Sequence, residues 1–224
     1  MRNLCIVQAR MSSTRFPGKV LAPLGDSTVI KVLLSRLAMS KSLDEITIAT
    51  SLDPSDDVLV EYIRDHKIFR GDLLDVRSRF IELGKKYTPQ NIVRITADCP
   101  LVCPELVDEM MIVHEAERSD YTANCNLNSY PKGFDIEIFR TEVLLRTDFL
   151  TENTYDKEHV TPWMYSSGEL RVTNLQFAQY NRSKNLNFSV DTQEDLYFLS
   201  QLENKHSVSK YTFKEIWKRI ELEI

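Results

Sequence analysis

Between Gln8 and Lys19 the chain reads Gln8, Ala9, Arg10, Met11, Ser12, Ser13, Thr14, Arg15, Phe16, Pro17, Gly18, Lys19, which sets three cations and three hydroxyls in twelve residues. Guanidinium forks and an ammonium match phosphate oxygens, so the stretch can hold a polyphosphate mainly through Arg10, Arg15 and Lys19. It is neither of the two common glycine-rich phosphate loops. A Walker loop needs a hydroxyl residue after Gly-Lys, and Val20 stands there, with Ser13 in place of the first glycine. A dinucleotide fingerprint needs three glycines, and this stretch has one.

Two acids form the second set of candidates. Asp98 follows the apolar run Asn91 to Thr96, and Asp191 follows Phe188 to Val190. Carboxylates delivered by remote strands to one sheet edge suit magnesium, which takes a few protein oxygens and completes its shell with water and substrate phosphates. Each acid also has a local alternative. Asp98 could cap the turn before the next helix, and Asp191 could be the N-cap of a helix from Thr192 to Lys205, with Glu194 completing a capping box. Asp135 and Glu137 alternate with apolar residues, so they would share a strand face and could meet a substrate hydroxyl. His159, beside Glu158 on an expected helix, is a further acceptor-binding candidate, with packing or surface capping as its alternative.

These residues need a scaffold that brings them to one edge. Leu4 to Val7 is short, apolar and partly β-branched, as expected of a strand buried on both faces of a parallel sheet. The cationic loop leaves its carboxyl end, where open α/β sheets bind ligands. Helical patterns then alternate with apolar runs: helix 27–39, strand 45–50, a helix start at Asp53 with Val58, Leu59, Tyr62 and Ile63 inward, strand 68–70, helix 76–87, strand 91–96 and helix 104–117. Residues 121–168 are less regular, with strands expected at 121–125 and 135–139 and helices at 141–150 and 157–165. This insert-like region is the place for an acceptor pocket or a subunit contact. Strands at 170–177 and 187–190 and helices at 192–205 and 213–221 close the chain. The expectation is a single domain over 1–224: a mostly parallel α/β sheet flanked by helices in three layers.

Hydrophobic content of 42% and charged content of 27% are those of a folded globular chain, and 224 residues can bury a sizeable core. The net charge of −5 argues against a general nucleic-acid binder. No apolar run is long enough for a membrane span and no signal peptide is evident, so a cytoplasmic protein is expected. The four cysteines form no CxxC pair, which points to reduced thiols rather than structural zinc.

Taken together, the Gln8–Lys19 loop, Ile95-Thr-Ala-Asp98-Cys-Pro-Leu101, Gly133-Phe-Asp-Ile-Glu-Ile-Phe139, Glu158-His-Val-Thr-Pro162 and Ser189-Val-Asp-Thr-Gln-Glu-Asp-Leu196 resemble the cytidylyltransferases that make CMP-activated acidic sugars, most of all the SpsF-like branch named for spore-coat polysaccharide synthesis. The resemblance implies a GT-A-like nucleotide-diphospho-sugar transferase fold, CTP and a small sugar as partners, Mg2+ as cofactor and a homodimer. It places Gln8, Ala9, Arg10, Ser12, Ser13, Arg15 and Lys19 on the triphosphate loop, Asp98 and Asp191 on the metal, and Arg77 and Arg79 around the nucleotide base. Catalysis would then rest on Lys19, Arg10 and Asp98, by neutralising charge during attack on the α-phosphorus. Two rivals share this inventory: a glycosyltransferase of the same general fold, disfavoured because no Asp-x-Asp ends an expected strand, and a nucleotide-binding protein without chemistry.

Overall fold

In a computed structural model that describes residues 1–127, 130–150, 152–177 and 186–220, the alternating pattern becomes a seven-stranded sheet. In chain order the elements are β1 (Asn3–Gln8), the two-residue strands β2 (Pro23–Leu24) and β3 (Ser27–Thr28), α1 (Val29–Leu37), β4 (Glu45–Ser51), α2 (Asp57–Tyr62), β5 (Lys67–Gly71), α3 (Val76–Tyr87), β6 (Asn91–Thr96) and α4 (Pro104–Ala116). They continue with β7 (Tyr121–Ala123), β8 (Glu137–Arg140), α5 (Thr141–Leu150), α6 (Thr154–His159), α7 (Pro162–Ser166), β9 (Val172–Asn174), α8 (Gln193–His206) and α9 (Phe213–Ile220).

The strand order is β5-β4-β1-β6-β8-β7-β9. β1 lies between β4 and β6 and runs parallel to both, while β8 is antiparallel to β6 and β7. Alternation along β1 sends Leu4 and Ile6 into one apolar layer and Cys5 and Val7 into the other, so all four are fully buried. Helices α1, α4, α8 and α9 cover one face, and α3 and α5 the other. Because β1 and β6 run in register, Gln8 and Thr96 finish side by side, and the loops that follow them open on the same edge.

The departures have local causes. Ser27 and Thr28 pair with Leu24 and Pro23 before α1 can start. Residues Pro54–Asp56 wind as a 3-10 turn, so the phase of α2 begins at Asp57; Leu59 and Ile63 are buried, whereas Val58 and Tyr62 stay exposed. The helix expected over 157–165 breaks at Val160, whose φ is +69°, and restarts with Pro162 in its first turn. Residues 187–190 form no strand: Asn187 bridges to Lys132, and Val190 N–H donates to the Asp98 carbonyl. The expected end of the last helix at Glu221 lies outside the described residues.

Arg36, in α1, is 2% exposed and faces no carboxylate among the described residues. Backbone carbonyls solvate it instead: it donates to Leu101, Val102, Ser209 and Tyr211, and to the Cys103 sulfur. Among the described residues no helix is long and apolar enough to cross a membrane.

Candidate active site

A cleft of ≈ 290 Å³ opens at the carboxyl edge of β1 and β6. Its floor is made by Gln8, Ala9, Thr96 and Ala97, and one wall by the cationic loop. The loop is folded by its own backbone: Gly18 N–H returns to the Met11 carbonyl at 2.9 Å, and Gly18 takes φ +76°, a conformation glycine adopts without steric penalty. Asp56, fully buried, anchors it from outside. One carboxylate oxygen accepts from Met11 N–H at 2.6 Å, and the other from Thr50 and Ser51 at the end of β4.

Lys19 closes the loop at the two acids. Its Nζ lies 2.6 Å from Asp98 Oδ2 and 3.1 Å from Asp191 Oδ1, so the two carboxylates share one ammonium although they come from distant parts of the sequence. Arg15 adds a contact to Asp191 Oδ1 at 2.9 Å. Lys132 Nζ pairs with the other oxygen, Oδ2, which also accepts from Ser189 Oγ at 3.2 Å. Burial raises the Asp191 pKa, but the hydrogen bonds from Lys132 and Lys19 outweigh it and hold the carboxyl down to about 2. Asp191 is free for these partners because it does not cap α8. Thr192 is the N-cap, and Asp195, not Glu194, completes the capping box.

Arg10, at the mouth, faces Glu158 of α6 at 3.6 Å, and His159 lines the same rim. Arg79 lines the cleft from behind, donating to the backbone carbonyls of Asp72 and Leu73 and, at 3.4 Å, of Ala49. Ser13 belongs to the lining, whereas Ser12 is exposed on the outside of the loop.

Two expected residues lie elsewhere, and a third stands near the acid pair without lining the cleft. Arg77 is 2% exposed and donates to the Thr147 carbonyl, which fastens α3 to α5 away from the cleft. Glu137 is buried in β8, where it pairs with Arg94 and accepts from Tyr121 OH and Thr161 Oγ1, each at 2.6 Å. Asp135 precedes β8 rather than lying in it; burial, opposed by a hydrogen bond from the Gly133 backbone and reinforced by Glu137 and Asp98, pushes the Asp135 carboxyl up to about 6.

Sequence reasoning overlooked Lys132, Asp56 and Arg94. Arg94 left one signal, a charge inside an otherwise apolar strand. It spans the sheet edge, contacting Glu137 on one side and Gln8 Oε1 at 3.1 Å on the other.

Among the described residues no three His, Cys, Asp or Glu side chains cluster as a metal cage. Two carboxylates held by a shared cation remain, a donor set that fits a hard divalent ion completed by phosphate and water oxygens.

Comparison with known proteins bears on the family and the fold. Residues 4–216 match the family model described as cytidylyltransferase. The chain is 35% identical over 211 residues to the spore coat polysaccharide biosynthesis protein SpsF of Bacillus subtilis, covering 90% of this chain and 86% of that one. It superposes on a cytidylyltransferase from Leptospira borgpetersenii with a TM-score of 0.92 at 28% identity, over 100% of this chain and 95% of the other. A CMP:2-keto-3-deoxy-manno-octonic acid synthetase solved with CTP shares the fold, with a TM-score of 0.66 at 16% identity over 92% of this chain and 99% of that one. The cationic loop, both acids and all of the sheet but the first residue of β1 fall inside the matched span, and the chain belongs to the cytidylyltransferase family.

Proposed function

We propose that the protein transfers CMP from CTP to a hydroxyl of a small acidic sugar and releases pyrophosphate, as a step in surface polysaccharide synthesis. The observation that carries this reading is the Lys19 ammonium held between Asp98 and Asp191 at the foot of a cationic loop. Likeness to SpsF supports a polysaccharide role, and the CTP in the synthetase of the same fold supports the nucleotide.

The acceptor oxygen forms a bond to the α-phosphorus while the bond to the β-phosphate oxygen breaks, and the hydroxyl proton leaves to water. Transfer of this kind asks for positioning and charge neutralisation rather than covalent chemistry by the protein. Arg10, Arg15 and Lys19 hold the triphosphate, and Lys19 meets the charge that grows on departing pyrophosphate. Gln8, Ala9 and Arg79 line the cleft for the nucleotide, and His159 stands at its rim for the acceptor. Asp98 and Asp191 would hold Mg2+, which when bound supplies charge neutralisation on phosphate and a lower pKa for the attacking hydroxyl. The region 121–168 would carry the homodimer contact; Phe149, 88% exposed, is its most exposed large apolar side chain among the described residues.

The test is pyrophosphate release with each of the four nucleoside triphosphates and magnesium against a panel of acidic sugars. Release with CTP and one acceptor is expected. Tighter binding of UDP- or GDP-sugars than of CTP would replace this reading with a glycosyltransferase.

A further inference from the structure

Lys132 belongs to no motif of the nucleotide loop, yet the fold takes trouble to place it. Gly133, with φ +99°, lies so close to the neighbouring segment that a Cβ there would come within 2.3 Å of the Phe188 carbonyl carbon and 2.4 Å of Ser189 nitrogen. The Lys132 carbonyl accepts from Phe188 N–H at 2.7 Å, and two residues on, Val190 N–H donates to the Asp98 carbonyl at 2.7 Å. The backbone of Lys132 is thereby locked to the segment that carries Asp191 and, through it, to Asp98.

The lock divides the two oxygens of Asp191. Oδ1 faces Lys19 and Arg15, the side shared with Asp98, whereas Oδ2 receives Lys132 and Ser189. A phosphate group can draw Lys19 and Arg15 away, because both belong to the loop that reads it. Lys132 stands on the opposite side of the carboxylate and has no such reason to leave. Three cationic groups therefore meet the two carboxylates, with the Asp135 carboxyl close enough to interact with Asp98 and Lys132, and a divalent ion arriving alone encounters in Lys132 a positive charge fixed against Asp191.

We propose that Lys132 acts through Asp191 to set the affinity of the acid pair for divalent cations, keeping uptake weak until a nucleotide brings its own negative charge. This rests on the reading that Asp98 and Asp191 form the metal site.

The experiment is a Mn2+ titration followed by electron paramagnetic resonance, on nucleotide-free wild type, Lys132→Met and Lys132→Arg. Ser189 still orients Oδ2 in each variant, so the change is chiefly one of charge. Lys132→Met is expected to bind Mn2+ about tenfold more tightly than wild type, the scale of removing one charge near a divalent ion at a hydrated site, and Lys132→Arg to stay near wild type. Adding Asp191→Asn to Lys132→Met should abolish the gain, which a general effect on the surface would not do. Unchanged or weaker binding by Lys132→Met, including no measurable uptake by either protein, overturns the proposal, as does a gain that survives Asp191→Asn. The titration uses no CTP and no acceptor, so it stands apart from the pyrophosphate assay: failure there removes the cytidylyl-transfer reading and leaves the Lys132 result to be judged by itself.

Discussion

The carbonyl of Asp98 accepts a 2.7 Å hydrogen bond from the N–H of Val190, so the backbone fastens the two acid-bearing segments together before any side chain takes part. The carboxylates of Asp98 and Asp191 then converge on Lys19 from a fixed base.

Asp98→Asn and Lys19→Ala should each stay folded and lose pyrophosphate release by about 100- to 1,000-fold, the usual cost of one charge-stabilising group. Circular dichroism checks the fold and a coupled pyrophosphate assay the rate. Near-normal turnover in both variants would remove these residues from the chemistry.

Asp56→Asn tests whether the phosphate loop is held from behind. The new amide donates where the carboxylate accepted, leaving Met11 N–H or the Thr50 and Ser51 donors without an acceptor. A loss of about 1–3 kcal/mol is expected by urea denaturation, together with a rise in KM for CTP that exceeds the fall in kcat.

Glu137→Ala should behave as a stability variant. It strands the Arg94 guanidinium, whose side chain is only 12% exposed, and breaking a buried pair in this way costs about 3–5 kcal/mol. A residue that served only the acceptor would change KM for the sugar and leave the denaturation midpoint where it was.

His114 supplies the pH test. It is 1% exposed and bonded through Nδ1 to Thr122 Oγ1, and burial, with Arg140 adding to it and Asp120 opposing, pushes its pKa down to about 4. The unfolded chain takes up this proton near pH 6.5 and the folded chain only near 4, so the contribution is whole above about 6.5 and lost as pH falls toward 4. The shift corresponds to on the order of 3 kcal/mol. Asp135 works the other way: its raised pKa favours the fold at acid pH and costs it as pH rises through about 6. Denaturation of wild type and His114→Gln from pH 4 to 7 separates the two, because the stability gap between the proteins should narrow toward pH 4. A constant gap would sink the assignment.

Much of the scaffold could be read from local pattern. Helix α3 and strand β6 begin and end where periodicity and strand composition put them, because their apolar stripes, the Asp75 cap and the break at Thr88 are all encoded within a few residues. The cationic loop was legible for the same reason. Partnerships across the sheet were not. Glu137 reads as a substrate-facing acid until Arg94 appears beside it, and Lys132 is one exposed lysine among many until Gly133 is seen wedged against Phe188. The cap of α8 was displaced by one residue because Asp191 and Thr192 are both good caps; Thr192 closes the box with Asp195, which leaves Asp191 to Lys19 and Lys132.

Arg36 gives the 209–211 segment, which does not line the cleft, a reach toward the acid-bearing turn. One guanidinium grips Ser209 and Tyr211 together with Leu101 and Val102, the residues just beyond the Asp98 turn. Damage to this rivet would abandon an ion in the interior and loosen the stretch that follows Asp98, so a lesion outside the cleft lining would be felt as a failing grip on phosphate.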